Sequence, residues 1–142
     1  MYKDILLTVD LTEESSWKKA LPVAVEYCQC AGATLHVLSV VPDFGMTKVA
    51  QFFPKGHEDQ TLDEARKELV KLCAEGIPDG VPVKPIVVYG TIYKRIIEVA
   101  ESIGADLIVI AAHRPALKDY LLGPNAARVV RHSNCSVLVV RD

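Results

Sequence analysis

Short apolar runs alternate along this chain with longer segments of helical periodicity, and this alternation restricts the fold more than any other feature. The apolar runs predict five strands, at residues 5–9, 34–41, 83–88, 107–111 and 136–140. The segments between them predict four helices, at roughly 14–30, 62–75, 91–104 and 125–131. Several runs are apolar throughout, which is typical of parallel strands covered on both faces. The pattern predicts an α/β fold, a single open five-stranded parallel sheet with helices on both faces and right-handed crossovers.

Individual residues refine this prediction. Asp10 or Thr12 can cap the first helix, and Gly32 can end it. Pro82 and Pro85 flank and interrupt the third run, which suits an edge strand better than a central one. The run at 107–111 is the most apolar, so we expect it at the centre of the sheet. Residues 42–60 are predicted to form a loop excursion between the second strand and the second helix.

Composition limits the classes of partner. The chain has 142 residues, 50% of them hydrophobic, which fits one domain spanning 1–142 with a core of its own. A net charge of −2 gives no general attraction to nucleic acid or to acidic lipid. Neither a leader after Met1 nor an apolar run of membrane length is present, so we expect a cytoplasmic protein with no membrane or nucleic-acid partner. The four cysteines are then expected as reduced thiols.

The expected ligand site lies where the strand order reverses. Ligands of open parallel sheets bind there, beyond the carboxyl ends of the strands, and the first and fourth strands end near Asp10 and His113. The fourth strand runs into small and basic residues, Ala111, Ala112, His113 and Arg114, and Gly123, Pro124 and Asn125 then open the last helix. Free N–H groups at a helix N-terminus beside a basic loop form the outline of a phosphate site.

Each of these residues also has a purely structural interpretation. The Gly123-Pro124-Asn125 segment can be a tight helix start, because Pro suits the first helical position. Arg114 can neutralise phosphate or remain a solvated loop residue, and His113 can donate to a phosphate or cap the sheet. Asp10 can accept hydrogen bonds from ribose or a base, or only cap a helix. The sequence contains no nucleophile elbow, no metal-ligand spacing of its four histidines and no P-loop, so we expect neither a catalytic residue nor a metal site.

The pattern as a whole resembles the universal stress protein family. The resemblance rests on residues 3–10, 35–41 and 105–110, which read KDILLTVD, LHVLSVV and ADLIVI, and on the C-terminal block. In that block, HRP at 113–115, YLLGPNAA at 120–127 and VVRH at 129–132 look like the bacterial F/G-type subgroup. The resemblance implies that Thr8, Val9 and Asp10 border the adenosine of a bound nucleotide and that Val40 contacts the adenine.

The chain departs from the glycine motif of the family's nucleotide-binding members, which is Gly-x-x-Gly, nine residues, then Gly followed by Ser or Thr. Ala111 and Arg114 replace the first two glycines, and the spacer after Arg114 has eight residues. Gly123 is kept, and Pro124 replaces the hydroxyl residue. Pro124 removes a hydroxyl and an N–H from the phosphate site, a loss that Arg114 and Asn125 can offset.

We therefore expect a non-enzymatic stress-response protein that binds ATP or another adenine nucleotide at the carboxyl ends of strands one and four. Mg²⁺ can accompany the nucleotide, and any ATP hydrolysis should be slow. The alternative is a dimeric interaction or signalling module that has lost tight nucleotide binding. A transferase or ligase would need a Ser-Gly-Gly-x-Asp type loop after the first strand, and residues 10–16 are instead acidic.

The last strand predicts the mode of assembly. Residues 136–140 are apolar, contain neither Pro nor Lys, and are expected at an edge of the sheet. A homodimer through this strand would pair the exposed edge by two-fold symmetry, with Val137, Leu138 and Val139 at the interface. The family resemblance suggests the same arrangement.

Overall fold

Strands and helices alternate as the sequence predicts throughout the part of the chain that the structure describes. This computed structural model describes residues 1–42, 57–112 and 123–141. In chain order, the elements are β1 (Asp4–Val9), a 3₁₀ helix (Glu14–Ser16), α1 (Ala20–Ala31), β2 (Thr34–Pro42), α2 (His57–Gly76), β3 (Val83–Gly90), α3 (Ile92–Ile103), β4 (Leu107–Ala111), α4 (Pro124–His132) and β5 (Ser136–Val140).

The five strands form one sheet of order β3-β2-β1-β4-β5, and every neighbouring pair is parallel. The predicted α/β class and the edge positions of β3 and β5 are confirmed. The chain moves outward from β1 to β3 on one side and then through β4 to β5 on the other, so the strand order reverses between β1 and β4. The prediction that residues 107–111 form a central and not an edge strand is confirmed, because β4 pairs with β1 on one side and with β5 on the other, although β1 is the middle strand of the five. The apolar character of a run does not show which strand lies in the middle, because β1 and β4 both have a strand on either side.

Two apolar layers hold the helices against the two faces of the sheet. Side chains alternate along each strand, so Ile5 and Leu7 face the layer under α1 and α2, whereas Leu6 faces the layer under α3 and α4. Leu69 of α2 and Val129 of α4 are fully buried in these respective layers. Burial of such aliphatic side chains, at roughly 1.5–3 kcal/mol each, provides the main stabilisation of the fold.

The first helix begins later than predicted. A 3₁₀ helix occupies Glu14–Ser16, and α1 starts only at Ala20. Neither Asp10 nor Thr12 is a helix cap, because Oδ1 of Asp10 accepts from the backbone N–H of Thr12 at 2.9 Å and from the Thr12 hydroxyl at 2.7 Å. These bonds close a tight turn after β1 instead. The predicted end is confirmed, since Gly32 follows α1 with φ of 66°.

The remaining boundaries shift by a few residues. Helix α2 begins at His57, earlier than the predicted start near residue 62. The sequence pattern missed the first turn because that turn is polar and lacks an apolar repeat. The predicted excursion at 42–60 is shorter as a result, and its residues 43–56 lie outside the described ranges. Strand β3 continues past residue 88 to Gly90, and α4 includes Pro124 as its first residue.

Polar contacts join the strands at the amino ends, opposite the predicted site. The Asp106 carboxylate accepts the backbone N–H of Lys3 at 2.9 Å and that of Asp4 at 3.1 Å. Oδ1 of Asp4 in turn lies 3.0 Å from Nε2 of the buried His36 on β2. These contacts fix β1 against both of its neighbours at this end of the sheet.

The cysteines provide a direct test of the packing. Cys28 is buried and Cys30 is exposed, so these two α1 residues point to different faces. Burial raises the pKa of the Cys28 thiol from 9.0 to about 11 and also raises the pKa of Cys73. At pH 8.5 we expect iodoacetamide to modify Cys30 in the folded protein and to modify Cys28 and Cys73 only after unfolding, as measured by peptide mass spectrometry.

The same pKa shift predicts how stability depends on pH. Above pH 9 the Cys28 thiol ionises in the unfolded chain while it stays protonated in the folded one, so the folded state binds more protons. The free energy of unfolding should therefore fall as the pH rises from about 9 to about 11. A Cys28→Ala variant should show a smaller decrease over that window in urea titrations, and an identical decrease would contradict this explanation.

Candidate functional site

A cavity of about 390 Å³ opens at the carboxyl ends of β1 and β4, where the strand order reverses. Its walls combine segments that are distant in sequence: the end of β1 with the turn after it, the end of β2, the start of α3, the end of β4 and the start of α4. The predicted site residues that line it are Thr8, Val9, Asp10, Val40, Ala111, Gly123, Pro124 and Asn125. The structure therefore brings most of the predicted site together.

An aliphatic slot forms the interior of this cavity. Leu38 and Ile110 lie on the sheet side, and Ile92 and Ile96 of α3 close the slot from above. The sequence did not predict Ile92 and Ile96 as part of the site. Their helical spacing gives no sign that they pack over the end of the sheet. A flat apolar ring fits a slot of this kind.

The start of α4 directs backbone donors into the cavity. Gly123 is the N-cap residue with φ of 84° and ψ of 154°, and Pro124 occupies the first turn. The first helical hydrogen bond of α4 runs from the N–H of Ala127 to the carbonyl of Gly123 at 3.0 Å. The N–H groups of Asn125 and Ala126, both cavity-lining residues, therefore precede the helical ladder. Together with the helix dipole, they favour a negative ligand group at this end.

The turn after β1 supplies acceptors at the opposite rim. The N–H of Asp10 donates to Oγ of Ser16 at 2.8 Å, and that hydroxyl donates to the Asp10 carbonyl at 3.0 Å. Oδ1 of Asp10 is already engaged by Thr12, so Oδ2 is the oxygen that a ligand can use. Glu13 and Ser16 line the cavity too, although the sequence did not predict them. The site therefore has an acceptor side at β1 and a donor side at α4.

Among the described residues, one predicted site residue, Ala112, is not in the cavity lining. Its N–H donates to the carbonyl of Val140 at 2.9 Å, which extends the pairing of β4 with β5. Sheet pairing therefore uses the N–H of Ala112, and nucleotide binding by Ala112 stays a prediction. His113 and Arg114 lie outside the described residues.

The residues predicted at a dimer interface all lie on β5. This strand pairs with β4 through one edge and is the last strand of the sheet. Leu138 packs toward the α1 and α2 side, whereas Val137 and Val139 pack toward the α3 and α4 side, and all three are half-buried. An edge strand of this composition offers a row of backbone groups to a further strand.

The described ranges contain neither a membrane span nor a metal cluster. No helix there is long and apolar enough to cross a membrane. No group of three or more His, Cys, Asp and Glu side chains in the same ranges could hold a metal ion.

Comparison with known proteins agrees with the fold. Universal stress protein G of Escherichia coli O157:H7 is 34% identical over 143 residues, which covers 99% of this chain and 100% of the relative. The solved structure of the protein MJ0577 superimposes with a TM-score of 0.83 at 29% identity, over 100% of this chain and 97% of that one. A universal stress protein solved in complex with cAMP shares the fold, with a TM-score of 0.64 at 24% identity over 99% of this chain and 97% of its own.

The match to the family extends along the chain. The model of the universal stress protein family matches residues 1–141. The sequence resemblance and the parallel sheet of order β3-β2-β1-β4-β5 agree with that match. This protein belongs to the universal stress protein family.

Proposed function

We propose that this protein is a cytoplasmic stress-response protein that binds an adenine nucleotide at the carboxyl ends of β1 and β4. The observation that carries the proposal is the cavity between these strands, which has an aliphatic slot on one side and the N-terminus of α4 on the other. The aliphatic slot suits a purine ring, and the free N–H groups at the N-terminus of α4 suit a phosphate. A related protein solved with cAMP supports the choice of an adenine nucleotide.

The polarity of the cavity orients the nucleotide. The base enters the slot between Val40, Ile92 and Ile96, and the phosphate lies at Asn125 and Ala126. The ribose hydroxyls then come near Asp10, whose carboxylate can only accept hydrogen bonds when ionised. In the reverse orientation, a phosphate would lie beside the Asp10 and Glu13 carboxylates, and like charges repel.

The most direct experiment combines native mass spectrometry with isothermal titration. Freshly purified protein is tested for a copurified nucleotide, and the nucleotide-free protein is titrated with ATP, with and without Mg²⁺. We expect ATP to bind, with hydrolysis absent or slow, because the described part of the site offers no positioned base. No heat with millimolar ATP, ADP, AMP or cAMP would exclude the nucleotide function.

Arg114 is the cation that we expect to neutralise the phosphate, and it carries a prediction of its own. Removal of a charged phosphate contact by Arg114→Ala should weaken ATP binding at least tenfold, which corresponds to about 1.4 kcal/mol. Arg131→Ala is the matched control, because Arg131 is an exposed cation at the far end of α4. Equal affinities of the two variants would show that Arg114 does not contact the phosphate.

A second candidate function is a dimeric interaction module without tight nucleotide binding. Two observations favour it. Pro124 supplies no N–H at the start of α4, and the N–H of Ala112 is already bonded to Val140. A dimer that binds no nucleotide in the titrations above would select this alternative.

A further inference from the structure

Arg128 of α4 is an exposed cation that forms no salt bridge within the ranges that the structure describes. Its guanidinium carbon lies over the ring of Tyr93 on α3, 4.9 Å from the ring centroid. A guanidinium in this position is attracted by the negative face of the aromatic ring. Because the ring accepts no conventional hydrogen bond from it, the N–H donors of Arg128 stay available for an anion.

The ring that supports Arg128 is itself held in place. Tyr93 is half-buried against the apolar layer under α3 and α4. The ring of His132 lies 6.2 Å from it, measured between the centroids, with an angle of 33° between the planes. Arg128 and His132 are four residues apart and therefore lie on one face of α4. A fixed ring restricts the long Arg128 side chain in advance, which lowers the entropy lost when that side chain binds a ligand.

Tyr93 and Arg128 lie at the rim of the cavity. Tyr93 directly follows Ile92, which lines the cavity from α3. Asn125 lines it from α4 and lies three residues before Arg128, on the same face of the helix. Long side chains in a helix extend back toward its N-terminus, so that of Arg128 extends toward the turn that contains Asn125. Arg128 itself is not in the lining. It is therefore placed to meet a ligand group that extends out of the cavity.

The charges inside the cavity direct an anionic chain toward this rim. Asp10 and Glu13, at the end of β1, are the ionisable residues among the described residues of the lining. No lysine or arginine is among those residues. Like charges repel, so a chain of several phosphates is favoured when it extends away from the two carboxylates. The path away from them leads past Asn125 to Arg128.

We propose that Arg128, supported by the ring of Tyr93, binds the outer phosphates of a nucleoside diphosphate or triphosphate, so that the site prefers ATP and ADP to AMP. The inference rests on the proposed function and adds the residue that distinguishes the length of the phosphate chain. The single phosphate of AMP ends at the N–H groups of Asn125 and Ala126, inside the cavity. A longer chain leaves the cavity and meets the guanidinium, whose planar fork fits two phosphate oxygens.

The test measures AMP and ATP affinities of Arg128→Ala by isothermal titration without Mg²⁺. We expect about tenfold weaker binding of ATP and a change below about twofold for AMP. Arg131→Ala is the matched control, because Arg131 is an exposed cation of the same helix, almost one turn further from the cavity. This control should leave the ratio of the two affinities unchanged. The ratio is the informative quantity, since a general loss of folded protein affects both ligands equally.

Tyr93 provides a second measurement. Tyr93→Phe keeps the aromatic face, whereas Tyr93→Leu removes it and keeps an apolar side chain in the layer. The affinity for ATP should fall about threefold in Tyr93→Leu and stay unchanged in Tyr93→Phe, because a cation over a ring contributes only modestly at an exposed site. The affinity for AMP should stay the same in both variants.

The outcomes separate the two proposals. If the unmodified protein binds neither AMP nor ATP, the proposed nucleotide function fails and this inference fails with it. If it binds both and Arg128→Ala keeps the ratio of the two affinities, only the inference is overturned. Tighter binding of AMP than of ATP by the unmodified protein would overturn it too. An unchanged ratio in Tyr93→Leu would show that the ring does not support Arg128 and would overturn that part of the proposal.

Discussion

Replacement of Gly123 by valine is expected to weaken ATP binding at least tenfold, or about 1.4 kcal/mol. Gly123 holds φ at 84° as the N-cap residue of α4 and lines the cavity. A β-branched residue is strained at this φ, and strain there would displace the N–H groups of α4 that we propose as donors to the phosphate. Isothermal titration of ATP into both proteins measures the loss.

Gly80→Val is the matched control for backbone strain. Gly80 has φ of 99°, and a Cβ added there would meet no atom within 4 Å. This control should lower the melting temperature through strain alone and leave the affinity for ATP unchanged. If Gly123→Val binds ATP as tightly as the control does, the phosphate does not bind at the start of α4.

Substitution of Val139 by lysine is expected to convert a dimer into monomers or insoluble protein. Val139 lies on the edge strand β5, and we propose that β5 pairs with its two-fold mate in an antiparallel fashion. A lysine there puts a charged side chain into an apolar strand, and lysine is a residue with which natural edge strands prevent pairing. Light scattering at tens of micromolar protein measures the mass directly.

Val130→Lys controls for the added charge. Val130 is 45% exposed on α4, away from the sheet edge, so a lysine there should leave the dimer intact. A monomeric unmodified protein, or a stable dimer of Val139→Lys, would show that the proposed interface is wrong.

The sheet and most of the cavity could be predicted from the sequence because both depend on local patterns. Apolar runs identify buried strands, and the reversal of strand order follows from the usual connections of such sheets. Asp10 and Gly123 could therefore be placed at one edge of the sheet from the order of the residues, and the family resemblance added Val40. Gly123 carried a particularly clear signal, because Gly followed by Pro is typical of a helix start.

The remaining features depend on contacts that no local pattern encodes. The helical repeat shows that Ile92 and Ile96 face inward, but only the packing of α3 shows that they cover the cavity. Ala112 belongs to the predicted loop by position, yet pairing with Val140 uses its donor. The Asp10 carboxylate accepts hydrogen bonds from the N–H and the hydroxyl of Thr12, and these local bonds form a turn after β1 in place of a helix start. For this reason α1 begins later than predicted.

The position of the first strand at the centre of the sheet has a consequence for synthesis on the ribosome. Strand β1 is made before its partner β4, which begins only at Leu107, so one edge of β1 stays open until β4 has been made. Contacts this distant in sequence form slowly, because a long loop must close first. The cavity needs residues from Thr8 to Ala126 and cannot exist on a shorter nascent chain. Nucleotide capture would thus mark a nascent chain that has been made at least as far as Ala126.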